Sequence, residues 1–483
     1  MDIQQSIVYG DESNWPYLTP LITMKNFTKM LQVFIFNEQI SLKVFILNGN
    51  IFKKRGLFVY MVDRELLKEV AGDQRTSIIG KEFGVPRSAI KRVSEVIGYP
   101  HVVVISGIRR CGKSTLLRQI IKKFYNDEEF LYVNFEDERL RDFDAGEFNK
   151  MYEVMISLYG NKRTILMDEI QNVEGFELFV RRFHEQGFKI FITGSNANLL
   201  SRELGTKLTG RYVRIDLHPF SFLEFLTMEN IEYNERSMYQ TEKRIEIMKA
   251  FDEYLRRGGM PEFLRYDDGE ILLRTYEDIV LKDIVVRYGL ENVKMIRDLY
   301  GHLISHLSDK FSYNSLRKTV GAGSTTTIQN YIHYLEEANF CSILQRYEHS
   351  LKKQIISSKK FYLTDHGFVH FISTRLTKDK GKKLENVVLN HLRSKEEIMY
   401  FEKGGECDFI TIEGNEVTSA IQSTWKLNEE NRTREVNGLL NAMKEFGLDE
   451  GTIVTYDTEE EIIIDDMKIH VVPAWKWILS IGE

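Results

Sequence analysis

The chain has 483 residues, of which 43% are hydrophobic and 28% are charged. This composition is typical of a globular protein and excludes a largely disordered one. The 65 basic and 71 acidic residues give a formal net charge of −6. That balance excludes a protein that coats nucleic acid over its whole surface, although it remains compatible with a local basic face.

The cysteines and the apolar segments indicate a cytoplasmic protein. Cys111, Cys341 and Cys407 are far apart, which excludes a disulfide framework, and the chain contains no CxxC pair for zinc. The sequence has no run of about 18 apolar residues, and its first residues, MDIQQS, lack the basic region of a signal peptide. We therefore expect no membrane contact.

Residues 1–60 read as an N-terminal extension that differs from the rest of the chain. They are apolar and aromatic with poor periodicity, and they predict two strands, residues 31–37 and 41–47, joined by a turn. Alternatively, Met61 is the true start, because MVDRELLKEV opens a clean amphipathic helix. Both interpretations stay open at the level of sequence.

From His101 onward, strands and helices alternate. The predicted strands are residues 101–106, 130–135, 164–168, 189–195 and 211–217, and the predicted helices are residues 113–125, 147–158 and 176–185. Such alternation predicts a parallel sheet with helices on both faces, so we expect an α/β fold for the core of the chain.

A glycine-rich loop follows the first of these strands. GIRRCGKST, residues 107–115, matches GxxxxGK[ST] between a strand and a helix, which is the context that this phosphate-binding motif requires. Lys113 is placed to reach the β- and γ-phosphates and the Ser114 hydroxyl to ligate Mg²⁺. We therefore predict ATP and Mg²⁺ as ligands. The predicted nucleotide-binding residues of the loop are Gly107, Ile108, Arg109, Arg110, Cys111, Gly112, Lys113, Ser114 and Thr115.

Two carboxylates end the third predicted strand. TILMDEIQ places Asp168 and Glu169 at the end of an apolar run. ATPases of this kind need one carboxylate for the magnesium shell and a second to polarise the attacking water. Because one full strand separates the loop from this strand along the chain, the spacing fits the class in which the second carboxylate, here Glu169, is the catalytic base. A solvated charge at the strand end is the alternative for Glu169.

Polar residues at the end of the fourth strand and an arginine before the fifth complete the predicted catalytic set. KIFITGSNA ends a strand with Thr193, Ser195 and Asn196. We assign a polar group here, with Ser195 and Asn196 not separable, to sensing the γ-phosphate or orienting the water, and helix capping is the alternative. Arg211, in LTGR, has two open interpretations. It is either a finger that acts on a neighbour's nucleotide, within a homo-oligomer, or a surface ion pair. The predicted catalytic residues are Lys113, Glu169, Asn196 and Arg211, and the predicted magnesium ligands are Ser114 and Asp168.

Four further residues near the loop carry weaker signals. Arg109 and Arg110 lie inside it, and we expect them to be structural rather than catalytic. Pro86 and Arg87, in GVPRSAI, precede the first strand and are predicted to border the adenine. Cys111 is expected to be a packing residue, although a lowered thiol pKa is the alternative in such a loop.

With these residues assembled, the chain resembles the AAA-type ATPases of archaea and bacteria that carry an uncharacterised C-terminal domain. The resembling segments are VPR, GIRRCGKSTLL, VNFEDERL, LMDEIQNV, ITGSNANLLS, LTGRY, LHPFSFLEFL and GGMPE, in order between residues 81 and 262. The resemblance implies an ATPase core at 61–217 and a small helical lid at 218–290. It further implies a winged-helix-like module at 291–370 and a domain similar to restriction-endonuclease-type nucleases at 371–483.

The residues of 313–364 agree with a winged helix. They predict helices at 314–320 and 325–338 and wing strands at 342–347 and 360–363. Lysines cluster at the wing, which suits contacts with DNA phosphates, but the second helix exposes polar residues without arginine. DNA contact through 313–364 and a protein-docking or structural wing therefore both remain open.

The nuclease-like segment lacks part of the expected catalytic set. Such a site needs a Glu on an early helix, an Asp at a strand end and Glu-x-Lys on the next strand, so that carboxylates hold the metal and lysine stabilises charge. Glu385 and Asp408 fill the first two positions, but Gln422 and Thr424 stand where Glu and Lys are expected. Lys426 lies two residues further on as a substitute. We therefore expect a degenerate site.

The preferred interpretation is a magnesium-dependent ATPase whose hydrolysis repositions the C-terminal region. Two alternatives remain: a nucleotide-gated DNA-binding switch with little turnover, and an active metal-dependent nuclease.

Overall fold

The structure is a computed structural model. It describes residues 29–36, 39–46, 57–59, 62–126, 129–195, 208, 210–373, 380–393 and 397–481. Upstream of residue 62 it gives three antiparallel strands: β1 (Lys29–Phe36), β2 (Gln39–Ile46) and β3 (Leu57–Val59). The first two correspond to the predicted pair. The remainder of 1–60 lies outside the described residues.

A five-stranded parallel sheet forms the core, which confirms the predicted α/β class. Its strands are β4 (Val102–Ser106), β5 (Phe130–Asn134), β6 (Thr164–Asp168), β7 (Lys189–Gly194) and β8 (Tyr212–Asp216), in the spatial order β5-β6-β7-β4-β8. The strand that lies between β4 and β6 in space is therefore β7, whereas β5 is an edge strand. The chain order alone placed β5 between the loop and the acidic strand.

Helices cover both faces of this sheet. They are α1 (Arg64–Gly80), α2 (Ala89–Val96), α3 (Lys113–Phe124), α4 (Phe148–Tyr159) and α5 (Phe176–Glu185). Alternate residues of β4 belong to different cores: Val103 and Ile105 to one, Val102 and Val104 to the other. Strands buried on both sides read as continuous apolar runs, as HVVVIS does.

A helical segment follows the sheet. It comprises α6 (Phe222–Met228), α7 (Thr241–Arg257), α8 (Pro261–Tyr266), α9 (Gly269–Asp278) and a π-helix at Ile279–Val286. The helical character predicted for 218–290 is confirmed. The π-helix has no sequence signature of its own, and such segments are often found near functional sites.

The next segment contains the predicted helix pair and strand pair. Its elements are α10 (Val293–Ser305), β9 (Lys310–Phe311), α11 (Tyr313–Val320), α12 (Thr325–Glu337), β10 (Cys341–Gln345), α13 (Leu351–Ile356), β11 (Lys359–Leu363) and α14 (Phe368–Ile372). β9, β10 and β11 form a small antiparallel sheet in the order β10-β11-β9. Leu316, Ile328, Ile332 and Leu335 of the helix pair belong to the same apolar core as α10.

The C-terminal region is a six-stranded mixed sheet with helices. Its elements are α15 (Lys380–Leu392), β12 (Glu397–Glu402), β13 (Glu406–Glu413), β14 (Glu416–Ser423), α16 (Arg432–Phe446), β15 (Glu450–Thr455), β16 (Glu460–Ile464), β17 (Met467–Pro473) and α17 (Ala474–Ile481). The strand order is β12-β13-β14-β15-β17-β16. None of the helices that the structure describes is long and apolar enough to cross a bilayer.

Candidate nucleotide-binding site

The predicted loop joins β4 to α3 in a tight turn. A Cβ atom at Gly107 would lie 2.2 Å from the backbone oxygen of Leu217, so this position admits only glycine. Gly112 has φ +104°, in the region that favours glycine, directly before the first residue of α3. The backbone therefore wraps in front of a helix N-terminus, which is the arrangement that binds phosphates.

Lys113 is buried at the centre of this loop. Its Nζ atom donates to the backbone oxygens of Gly107 and Ile108, at 3.1 and 3.4 Å, and lies 3.2 Å from Oε1 of Glu169. Burial works to lower the pKa of Lys113, but Glu169 and neighbouring groups outweigh it and hold that pKa above its ordinary value. The ammonium is therefore charged and bridges the loop to the acidic strand.

Asp168, at the end of β6, is fully buried and hydrogen-bonded. It accepts from the Thr193 hydroxyl, from the Tyr132 hydroxyl at 3.2 Å and from Ser114. Burial and the adjacent Glu169 charge raise the pKa of Asp168 above its usual value. A hydroxyl and a carboxylate that meet in a dry cleft are the oxygen donors that Mg²⁺ prefers, so this pair fits the predicted ion.

Glu169 adopts a left-handed conformation, with φ 50°, just past the strand end. Its backbone N–H donates to Oγ1 of Thr193 at 2.9 Å, and its carboxylate accepts from Nε2 of Gln171 at 2.6 Å. Burial works to raise the pKa of Glu169, but Lys113 and Gln171 outweigh it and hold that pKa below its ordinary value. This backbone turn brings both carboxylates into one cleft, although successive strand residues otherwise face opposite sides.

A cavity of about 1120 Å³ opens in front of the loop. Glu169, Lys113 and Ser114 line it together with Pro86, Arg87 and, from the helical 218–290 segment, Arg265 and Lys282. Arg118, a cation that the sequence did not single out, also lines the cavity. The cations suit a polyanionic ligand, and the remaining charged lining residues are the acidic Glu82, Glu136, Glu262 and Asp278 and the basic Lys81, Arg109 and Arg110.

Arg87 borders this cavity, but its side chain is used internally. Its guanidinium pairs with Glu224 of α6 at 2.9 Å and donates to the backbone oxygens of Cys111 and His218. The side chain is 3% exposed. Arg87 therefore connects the loop to α6. Of the two residues predicted to border the adenine, Pro86 is the one whose side chain is not engaged in these internal contacts.

The arginines inside the loop contact the helical segment, in agreement with a structural role. Arg109 forms a two-point ion pair with Asp283 of the π-helix, with N–O distances of 3.0 and 2.9 Å. Arg110, at φ 64°, pairs with Glu262 of α8 at 3.0 Å. Arg110 also lies 3.9 Å from Asp278, so salt bridges from both arginines link the loop to the 218–290 segment.

The remaining predicted residues have different environments. Arg211 lies directly before β8, at the amino end of the strands and away from the loop at their carboxyl end, and its exposed guanidinium lies 2.9 Å from Glu185. Cys111 packs with its Sγ atom toward the Leu217 oxygen, and burial raises the pKa of its thiol. Thr115 accepts from Arg118 at 3.0 Å. Asn196 lies outside the described residues.

Sequence reasoning missed Gln171, and it named Thr193 without predicting its contacts with the two acidic residues. Thr193 was visible only as one of several polar residues near a strand end. Gln171 stands two residues after the acidic pair, on a short 3₁₀ helix, Ile170–Asn172. Its contact with Glu169 depends on the left-handed turn between them, which the sequence pattern does not reveal.

The predicted nuclease-like residues form a buried network with a lysine from another module. Lys360, on β11, lies within 3.0 Å of Glu385, Glu406 and Asp408, and its side chain is 4% exposed. The ammonium that reaches these carboxylates is thus Lys360. Lys426, the predicted substitute, is exposed three residues beyond the end of β14.

Gln422 joins this network as a neutral bridge. Its Oε1 atom accepts from the backbone N–H of Asp408 at 3.0 Å, and its Nε2 atom donates to Glu435 at 2.6 Å. Burial and the Asp408 charge raise the pKa of Glu385 to about 7. Within the described part of the chain, no group of three or more histidine, cysteine or acidic residues is arranged to hold a metal ion.

The predicted basic wing is only partly exposed. Lys359 and Lys360 are buried, and Lys310 pairs with Glu402 and Glu406. Lys352 and Lys353, on α13, are exposed beside Leu351, Ile355 and Ile356, which are 60–73% exposed. The wing therefore offers fewer cations to DNA phosphates than its composition indicated, and it presents apolar side chains beside them.

Comparisons with known proteins agree with this geometry. Residues 99–226 match an AAA domain, and residues 248–380 match a domain of unknown function (DUF8612). An uncharacterised protein of Methanocaldococcus jannaschii is 35% identical over 441 residues, which cover 87% of this chain and 97% of that protein. An uncharacterised protein of Haemophilus influenzae is 29% identical over 389 residues, covering 77% and 94% respectively.

Solved structures with similar regions include a RuvB variant from Thermotoga maritima and Cdc6p from Pyrobaculum aerophilum. The RuvB structure is 17% identical with a TM-score of 0.22, and the match covers 57% of this chain and 93% of that one. The Cdc6p structure is 13% identical with a TM-score of 0.26, and the match covers 65% and 98%.

Proposed function

The chain belongs to the family of AAA-domain proteins that includes the Methanocaldococcus jannaschii relative, and from that premise we propose that it binds ATP with Mg²⁺ and hydrolyses it. One observation carries this proposal. Lys113, Ser114, Asp168 and Glu169 meet at the carboxyl ends of β4 and β6, the two parallel strands on either side of β7, beside a cavity large enough for a nucleotide. This is the edge at which open α/β sheets bind ligands.

In this proposal each of the four residues has a separate task. Lys113 leaves the Gly107 and Ile108 oxygens to bind phosphate oxygens, and Ser114 and Asp168 hold the metal, which neutralises charge that develops on the phosphates. Glu169 then accepts a proton from the attacking water. Its lowered pKa keeps the carboxylate ionised near neutral pH, as a base requires.

We further propose that hydrolysis repositions the helical lid and, through it, the C-terminal region. The two salt bridges from the loop, Arg109 to Asp283 and Arg110 to Glu262, support this. A loop that wraps phosphates must adjust when one is lost, and these contacts would carry the adjustment to α8 and the π-helix. Measuring the distance between spin labels on core and lid with ATP and with ADP tests this, and equal distances would contradict it.

The decisive experiment replaces Glu169 by Gln. We expect Glu169→Gln to bind ATP with parental affinity by titration calorimetry and to lose most turnover, because the amide cannot accept the proton. Glu82→Gln is the matched control, since Glu82 lines the same cavity but its side chain is 83% exposed and lies 3.6 Å from Arg265. Parental turnover in Glu169→Gln would refute the role of this base, and no ATP uptake by the parent would refute the function itself.

We also propose that 371–483 is a degenerate nuclease-like domain. The support is the Lys360 ammonium, which occupies the centre of the Glu385 and Asp408 pair, and Gln422, which is committed to two internal hydrogen bonds. Incubation with plasmid DNA and Mg²⁺ or Mn²⁺ tests this proposal. Intact plasmid supports the degenerate site, and nicked or linear plasmid would overturn it.

A further inference from the structure

A chain of hydrogen bonds leads from Glu169 out of the nucleotide cavity. Nε2 of Gln171 lies 2.6 Å from Oε2 of Glu169 and 3.4 Å from Oγ of Ser195, the residue after β7. Ser195 is 2% exposed. Gln171 also keeps a buried acceptor, Oε1, which has no hydrogen-bond partner among the described residues. Gln171 therefore stands between the acidic strand and its neighbour with one polar atom still free.

The chain continues into a different module. The side-chain amide of Asn339 donates to the backbone oxygen of Ser195 at 3.1 Å and to Oγ of Ser106 at 3.3 Å. Asn339 lies in the turn between α12 and β10, whereas Ser106 ends β4 and Ser195 directly follows β7. One side chain thus contacts the ends of the two strands that flank the phosphate-binding loop and the acidic cleft.

The backbone around Asn339 is hydrogen-bonded to the residue that follows β11. Asn339 has φ 56°, a conformation that asparagine tolerates better than most residues. Its backbone oxygen accepts from the Thr364 hydroxyl at 2.7 Å, and the adjacent Phe340 oxygen accepts from the Thr364 N–H at 2.9 Å. The turn is therefore fixed to the residue that follows β11.

There is room for this turn to move. Ser106, Gly107 and Asn339 line a cavity of about 470 Å³ that separates the end of β4 from α12. Because the turn is not packed on every side, a change of hydrogen-bond partner at Ser195 has space to shift it. A tightly packed turn would resist such a shift.

We propose that Asn339 is a positioning residue that couples occupancy of the nucleotide site to the α12–β10 turn, through Gln171 and Ser195. The inference rests on the proposed nucleotide binding. When Lys113 turns to a phosphate, Glu169 loses the cation that now lies 3.2 Å away, and Gln171 is its remaining side-chain donor. The amide of Gln171 then moves with the Glu169 carboxylate, and Ser195 moves with it through its hydrogen bond to that amide. Asn339, which donates to the Ser195 oxygen, shifts in turn and moves the turn that follows α12.

Hydrogen exchange of the full chain, read by mass spectrometry with and without Mg²⁺ and a non-hydrolysable ATP analogue, tests this coupling. In the parent we expect the analogue to change exchange in the peptide that spans residues 335–345. Asn339→Gly should lose that difference while it still binds the analogue by calorimetry, since glycine accepts the positive φ and removes only the amide. Asp466→Gly, at φ 64° in an exposed turn, is the matched control and should keep the difference.

The outcomes separate the two proposals. Retention of the difference in Asn339→Gly, or its absence in a parent that binds the analogue, would overturn the coupling and leave nucleotide binding intact. A parent that binds no analogue would overturn both. If Asn339→Gly does not fold, Asn339→Asp serves instead, because the carboxylate keeps the shape but cannot donate to the Ser195 oxygen. Retention of the difference in that variant would equally overturn the coupling.

Discussion

Thr193 holds both acidic residues of the site through one hydroxyl. It donates to Asp168 and accepts from the backbone N–H of Glu169, and it is fully buried. We expect Thr193→Val to lower turnover by about 10–100-fold, the usual cost of losing a residue that orients a metal ligand. Steady-state ATPase assays measure this effect. Thr193→Ser retains the hydroxyl and should recover most of the loss, and equal turnover in the valine and serine variants would contradict the role.

Ionisation of Glu336 makes the stability of the folded protein depend on pH. Burial raises the pKa of this carboxyl, on α12, from its ordinary value of about 4.5 to about 7. The folded state therefore holds a proton that the unfolded chain releases between about pH 4.5 and 7. The stability from Glu336 is complete below about pH 4.5 and is lost as pH rises through 7.

The corresponding variant is Glu336→Gln, which keeps an acceptor for the Ile343 N–H but does not ionise. We expect it to be more stable than the parent at pH 8, by about 2 kcal/mol, and nearly equal to it at pH 4.5. Urea unfolding at the two pH values measures this. Glu242→Gln, at the exposed start of α7, is the control, and a Glu336→Gln gain that is the same at both pH values would contradict the linkage.

Local signals predicted the residues of the nucleotide site but not their partners. The path of the backbone requires glycine at 107 and 112, and Lys113 and Ser114 follow directly, so the pattern is visible in a short window. Arg87 pairs with Glu224, 137 residues away, and no local pattern encodes such a pair. The partner of a buried charge is determined by tertiary packing, which a short stretch of sequence does not predict.

At the scale of elements, Lys360 joins the small sheet to the C-terminal region. Its ammonium is buried among three carboxylates, and the Tyr362 hydroxyl on the same strand donates to Glu385 at 2.6 Å. We expect Lys360→Met to destabilise the protein by about 3–5 kcal/mol, because it leaves buried charges without their cation. Chemical denaturation followed by circular dichroism measures the change.

The control for this variant is Lys310→Met. Lys310 contacts Glu402 and Glu406, but its side chain is 29% exposed, so we expect a loss of about 1 kcal/mol or less. Adding Asp408→Asn to Lys360→Met should restore part of the stability. Equal losses in the two lysine variants would show that the buried network contributes nothing beyond a surface pair.

Elements of the core were predictable because burial on both faces produces apolar runs of strand length. The strand Thr164–Asp168 and the helix Phe176–Glu185 have the predicted bounds, and the other core strands differ by one or two residues. The spatial order of the strands in the sheet was harder to predict from the sequence. The position of β7 between β4 and β6 follows from crossovers that a local pattern does not specify.

At the scale of the molecule, two contacts connect the ATPase core and the C-terminal sheet through the module between them. Asn339 joins that module to the ends of β4 and β7, and Lys360 joins it to α15 and β13. The 291–370 segment is therefore placed to relay changes between the two larger sheets. The burial of Lys360 also explains why the lysine-rich composition of this segment does not give it a basic surface.

The position of Arg211 leads to a prediction about assembly. Because it lies directly before β8, at the amino end of the strands, its guanidinium is remote from the loop, which follows the carboxyl end of β4. If it acts in catalysis, it acts on a neighbour. We expect Arg211→Ala to lose turnover while retaining ATP binding, and the specific activity of the parent to rise with protein concentration.

Mixing two inactive variants distinguishes an Arg211 that acts on a neighbour's nucleotide from an Arg211 that only forms a surface ion pair. Arg211→Ala retains Glu169, and Glu169→Gln retains Arg211, so a mixed assembly contains sites with both groups and should recover part of the parental turnover. Arg181→Ala is the matched control, since Arg181 pairs with the same Glu185 at 3.1 Å and should keep full activity. If the mixture stays inactive while each variant still assembles, Arg211 serves only its salt bridge to α5.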